Sequence, residues 1–124
     1  MNKKLVILLG ICLLLVVGCG KDKKEIESGK ITCDQMKEIL EDENARLIDV
    51  RTAEEFAEGH LDGAVNIPYE EIVDKLSMDK EINPLETKII VYCKSGKRSE
   101  TAYNSLKSAG YKHIYDIGAM NNCK

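Results

Sequence analysis

"TKIIVYCKSGKRSETAYNSLKSAG" spans Thr87 to Gly110. It opens on an apolar run, Ile89 to Cys93, of the kind found in strands buried on both faces. From Ser99 it takes on helical character and stops at Gly110, a common helix terminator. The turn between holds one thiol, Cys93, and the charges of Lys94, Lys97 and Arg98. Strand, turn and helix in that order place Cys93 at a carboxyl strand end. Parallel α/β sheets carry their chemistry beyond such ends.

The neighbouring segments repeat the alternation. "ITCDQMKEIL" pairs Thr32 with Gln35 as a capping box, and Met36, Ile39 and Leu40 follow at helical spacing. A helix is expected from Cys33 to Glu41. "RLIDV", Arg46 to Val50, is a short strand. Thr52 and Glu55 form a second capping box, opening a short helix that Gly59 ends. "GAVNIP" is a short strand stopped by Pro68. Ile72, Val73 and Leu76 share one helical face, and "HIYDI", His113 to Ile117, closes the series as a strand. Strands alternating with helices argue for a mainly parallel sheet covered on both faces.

The amino terminus reads differently. "MNKK" is a basic leader, and "LVILLGICLLLVV", Leu5 to Val17, has the length of a signal-peptide core. It is shorter than the roughly 20 apolar residues that span a bilayer. "LVVGCG", Leu15 to Gly20, resembles a bacterial lipoprotein lipobox. That likeness implies a signal peptide over residues 1–18 and acylation of Cys19, the new amino terminus. Residues 19–30 are then a charged, lipid-attached linker and residues 31–124 the domain. The expected location is the extracytoplasmic side of a cell membrane, held by a lipid anchor such as palmitate.

The chain's 124 residues suffice for one domain, and its net charge of −3 gives no nucleic-acid signature. Taking Lys3 and Lys4 from 18 basic residues leaves 16 against 21 acidic ones, a net of −5. The basic cluster after Cys93 stands out against that background. Taking Cys12 and Cys19 from five cysteines leaves Cys33, Cys93 and Cys123. An odd number cannot all be paired within one chain. Cys33, early in its helix, is expected in the core.

The thiolate is the nucleophilic form of cysteine, and a helix amino terminus favours it. Lys94, Lys97 and Arg98 add positive charge. Gly96 lets successive N–H groups curl into an anion nest. Ser95 belongs to the same turn, and Ser99 is expected as the N-cap of the helix. Two readings stand on these residues alone: a nucleophile for a small anion, or a buried structural cysteine before a basic surface loop.

Spacing narrows the choice. Four residues separate Cys93 from Arg98, whereas the tyrosine-phosphatase loop has five, and Ser99 occupies the position of that arginine. A shorter loop makes a tighter cup, suited to a sulfur atom rather than a phosphoryl group. "YCKSGKRS", Tyr92 to Ser99, is similar to the active-site loop of rhodanese-homology domains. "LIDVRTAEEFAEGHLDGAVNIP", Leu47 to Pro68, follows that family's other long pattern, and "GYKHIYDIGAM", Gly110 to Met120, resembles its closing strand and glycine turn.

The resemblance implies a rhodanese-like α/β fold, a five-stranded, mainly parallel sheet with helices on both faces. It implies sulfurtransferase chemistry without metal or organic cofactor. Cys93 takes a sulfane sulfur from a small anionic donor such as thiosulfate and passes it to a thiol or cyanide, or to a protein acceptor. The amides from Lys94 to Ser99 cradle the persulfide, and Lys97 and Arg98 steer or hold the donor. Asp49 and Arg51 become loop-holding charges, with Glu55 as the expected partner of Arg51. His60 becomes structural. The family's usual tryptophan after the last glycine turn is replaced near Cys123, which leaves the stability of a short carboxyl end in question. Cys123 also opens an alternative, a persulfide carrier or thiol-redox module in which it resolves Cys93.

Overall fold

The computed structural model describes residues 24–124. The expected signal peptide and Cys19 lie outside the described residues. Five strands form one sheet: β1 (Gly29–Lys30), β2 (Ala45–Asp49), β3 (Val65–Asn66), β4 (Lys88–Cys93) and β5 (His113–Ala119). Their spatial order is β1-β5-β4-β2-β3, and every neighbouring pair is parallel. The helices are α1 (Cys33–Ile39), α2 (Ala53–Glu58), α3 (Ile72–Ser77) and α4 (Lys97–Ser108), with 3-10 turns at Tyr69–Glu71 and Met120–Cys123. None is long and apolar enough to cross a membrane, among the described residues.

Central strand β4 shows why the sheet needs cover on both faces. Ile89, Val91 and Cys93 enter one core cluster, with Ile72 and Leu76 of α3 and Ala102 and Leu106 of α4. Ile90 and Tyr92 point the other way, into a cluster with Met36 and Ile39 of α1. All five of these β4 side chains are fully buried. Each large apolar side chain so placed contributes about 1.5–3 kcal/mol. The pleat thus converts a continuous apolar run into two cores, one above and one below.

Both expected capping boxes form. Thr32 Oγ1 accepts from Gln35 N while Gln35 Oε1 accepts from Thr32 N, and Thr52 and Glu55 do the same for α2. Two boundaries near the site differ from the sequence reading, and one strand carries an irregularity. Gly29 and Lys30, assigned to the linker, pair with Tyr115 and Asp116 as edge strand β1. The helix after Cys93 begins at Lys97 with Gly96 as its N-cap, three residues before the expected Ser99. Gly96 adopts φ +106°, a left-handed turn that starts the helix early, and Ser99 falls inside the first turn with its hydroxyl donating to the Gly96 carbonyl at 3.2 Å. Finally, β5 carries a bulge: Val91 faces Asp116 but Tyr92 faces Gly118. Asp116 Oδ1 accepts from Gly118 N at 2.8 Å across it. Bulges bend a strand end, and this one brings Ala119 opposite Cys93.

Candidate active site

Cys93 is the last residue of β4, and the chain turns at once into α4. The two elements aim the thiol back under the helix start. Its Sγ accepts from Gly96 N at 3.0 Å and from Ser99 N at 3.3 Å. These are free donors of a helix amino terminus, so they stabilise negative charge on the sulfur. Cys93 has 0% exposure and is the one free cysteine among the described residues. Lys94, Ser95 and Lys97 are exposed around it, Arg98 is half-buried and Ser99 is buried. The loop is therefore a closed cup, with cations on its rim and amides at its base.

Arg98 is not a free cation. Its Nη1 and Nη2 donate to Glu55 Oε1 and Oε2 at 2.7 and 3.1 Å. The bond to Arg98, helped by the Thr52 amide, holds the Glu55 carboxyl down at about 2. The same pairing pushes the Arg98 guanidinium up. Arg98 thus ties the cup to α2. The Glu55–Arg51 pair expected from their i,i+4 spacing does not form. Arg51 precedes α2, and its side chain runs back along β2 instead.

There Arg51 meets Asp49. Nε and Nη2 donate to the Asp49 carboxylate at 2.6–3.1 Å, the Arg51 amide donates to Asp49 Oδ1 at 2.9 Å, and Nη2 also donates to the Gly59 carbonyl at 2.7 Å. The hydrogen bond to Asp49 pushes the guanidinium up. Asn66 Nδ2 donates to the carbonyls of Asp49 and Arg51, both at 2.9 Å. These residues brace the corner after β2 rather than touching the cysteine loop. Their link to it runs through Tyr92: Arg51 lies 5.9 Å over its ring, and its hydroxyl accepts from Leu61 N at 3.0 Å. Burial pushes the Tyr92 phenol up to about 12, so it stays neutral. His60 sits at the end of α2, exposed and stacked on Phe56 at 3.7 Å, with Nδ1 donating to the Phe56 carbonyl at 2.9 Å. It is turned toward its own helix.

The other two cysteines among the described residues are bonded to each other. Cys33 and Cys123 form a disulfide across 90 positions of sequence. This corrects two expectations: Cys33 is not merely a core residue, and Cys123 is not a resolving thiol for Cys93. The first residue of α1 and the last turn of the described chain meet below the sheet, where both pack on the second core cluster. Near the position of the family's tryptophan, a covalent bond fastens the end.

Beside the cup lies a cavity of about 530 Å³. Ser95, Gly96 and Lys97 form one wall, Gly118, Ala119 and Asn122 another, and Lys30 and Ile31 a third. Cys93 does not line it.

The rhodanese-like domain profile matches residues 32–121. The thiosulfate sulfurtransferase PspE of Escherichia coli is 31% identical over 75 residues, covering 60% of this chain and 70% of that protein. The human single-domain sulfurtransferase TSTD1 superposes with a TM-score of 0.66 at 29% identity, over 79% of this chain and 95% of that structure. A tRNA uridine(34) hydroxylase of Erwinia tasmaniensis is 32% identical over 67% of this chain but only 24% of its own length. The chain likewise spans 58% and 46% of curated relatives from Schizosaccharomyces pombe and Bacillus subtilis.

Proposed function

This chain belongs to the rhodanese-like domain family, and from that premise we propose that it is a sulfurtransferase working through a Cys93 persulfide. The observation that carries the proposal is the Cys93 sulfur at a strand end, accepting two helix-terminal N–H groups. Its thiolate attacks the outer sulfur of thiosulfate or a like donor. A new S–S bond forms on Sγ, the donor's S–S bond breaks, and sulfite leaves with the electron pair. A thiol or cyanide anion then attacks the outer persulfide sulfur, and the Cys93 thiolate leaves. The loop amides stabilise the anion in both steps, as fixed dipoles do for developing charge.

Phosphoryl transfer is the weaker reading. Ser99 stands where the phosphatase loop has its arginine, and the neighbouring Arg98 is already bound through both terminal nitrogens to Glu55. Nor does a Cys93–Cys123 redox pair have support, since Cys123 is bonded to Cys33. A lipid anchor at Cys19 on an extracytoplasmic surface remains part of the proposal. It is supported by the "LVVGCG" stretch and by a disulfide of the kind that persists in oxidising compartments.

Incubation with thiosulfate should add the mass of one sulfur to the Cys93 peptide, and cyanide should then remove it as thiocyanate. Cys93→Ser should abolish both. A chain that gains no sulfur from thiosulfate or from an alkyl persulfide would overturn the proposal.

A further inference from the structure

Cys93 is completely enclosed, yet the proposed chemistry needs its sulfur to be reached. Some part of the cup must open. One side is fastened by the Arg98–Glu55 pair. The other rests on the end of β5: Ala119 is the register partner of Cys93, and a methyl group placed on Gly96 would lie 3.8 Å from Gly118 Cα. That strand end runs straight into the Met120–Cys123 turn. The turn holds to the strand through Asn122, whose Nδ2 donates to the Ile117 carbonyl at 3.0 Å. Met120 packs on the second core cluster, and the bond from Cys123 to Cys33 adds a covalent tie to α1.

The bonded cysteines do not line the cavity beside the cup, but their chain neighbours do. Lys30 and Ile31 on the cavity wall come just before Cys33, and Asn122 just before Cys123. β1–β5 pairing already joins the Lys30–Ile31 wall to β5, with Ile31 N donating to the Asp116 carbonyl at 3.0 Å. The bridge adds a covalent tie from that wall to the Asn122 turn, and Ser95 to Lys97 form the third wall. Both bonded cysteines are only half-buried, so a reductant has access to them.

We propose that the Cys33–Cys123 disulfide is a redox-sensitive latch on Cys93. Closed, it presses the end of β5 against the cup. Opened, it frees the terminal turn, Asn122 and the end of β5 loosen beside the cup, and the loop over Cys93 opens more often. The opening step is thiol–disulfide exchange with a dithiol. One thiolate attacks a bridge sulfur, the second resolves the mixed disulfide, and two electrons and two protons end on Cys33 and Cys123 while the dithiol becomes a cyclic disulfide. Cys93 is unchanged in that step. The proposal stands on the disulfide and the packing, and does not require that sulfur transfer be the activity.

The test uses the full chain and no sulfur donor. The oxidised protein, the protein reduced by a dithiol and then desalted, and the Cys33→Ser/Cys123→Ser variant are each treated with iodoacetamide. Alkylation of the Cys93 peptide is followed by mass, beside amide hydrogen exchange. Reduction and the double variant should each speed Cys93 alkylation by about tenfold or more, as local opening does. Exchange should rise in residues 94–99 and 117–123 and stay unchanged in β2. Equal alkylation rates in all three forms would overturn the latch. So would faster exchange throughout the domain, because the bond would then be a general brace, and so would free Cys33 and Cys123 thiols in the oxidised protein. Alkylation reads the latch whether or not thiosulfate is a substrate, so the two proposals fail separately.

Discussion

Replacing Glu55 by Gln separates the two tasks of this side chain. Gln at the third helical position still completes a capping box with Thr52. What it loses is the charge that binds Arg98. With the wild-type carboxyl at about 2 against an ordinary 4.5, the native state favours the ionised form. That gap corresponds to a ceiling of about 3 kcal/mol. Both partners keep more than a quarter of their surface exposed, at 28% and 29%. Solvent screening brings the expected loss at pH 7 to about 1–2 kcal/mol. The sign follows from the depressed value. The contribution is fully present above pH 4.5 and is lost as pH falls toward 2. Urea unfolding of wild type and Glu55→Gln across that range is the assay. The two stability curves should stand apart at neutral pH and converge in acid. A gap of constant size at every pH would refute the ion-pair account and leave only lost packing.

Asp49→Asn should be costlier, by about 3–5 kcal/mol, because it strands the buried Arg51 guanidinium; a melting temperature close to wild type would contradict this. Gly96→Ala has room for its methyl group but must hold φ +106°. It should lose about 1–2 kcal/mol of stability, or turn the Gly96 amide away from Sγ. Persulfide formation from thiosulfate should then slow, and an unchanged rate would show that this amide is idle. Lys94→Ala and Lys97→Ala should weaken the salt dependence of donor capture without altering the melting temperature, since both side chains are exposed. A steep salt dependence surviving in the double variant would assign steering to other charges.

Features that depend on neighbours in sequence were legible without the structure. The two capping boxes need only residues three apart, and the strand at Ile89–Cys93 announces itself by apolarity. The position of Cys93 between that strand and a helix followed from the same patterns. Contacts set by strand order were not legible. Glu55 and Arg98 are 43 positions apart and meet because α2 and the cysteine loop share the carboxyl edge of the sheet. Cys33 and Cys123 meet because edge strand β1 lies beside β5, and β1 is too short to read as a strand. The Gly96 cap was missed for another reason. Serine is the better N-cap in general, but only glycine takes the left-handed turn at little cost.

The loop's charges therefore divide into two kinds, which the sequence alone shows as one cluster. Arg98 is neutralised by Glu55 and works as a fastener, so it adds little attraction for an arriving anion. Lys94 and Lys97 project into water, where their pull is long-ranged but screened by salt within about 8–10 Å. Neither kind touches the sulfur. The groups that do are the amides of Gly96 and Ser99, whose direction is fixed by the backbone and whose field salt hardly screens in a buried cup. Steering and stabilising the anion are thus separate jobs done by separate atoms. It follows that lysine substitutions change how often a donor arrives. Changes in the loop backbone, or in what presses on it from β5, change what happens once it is there.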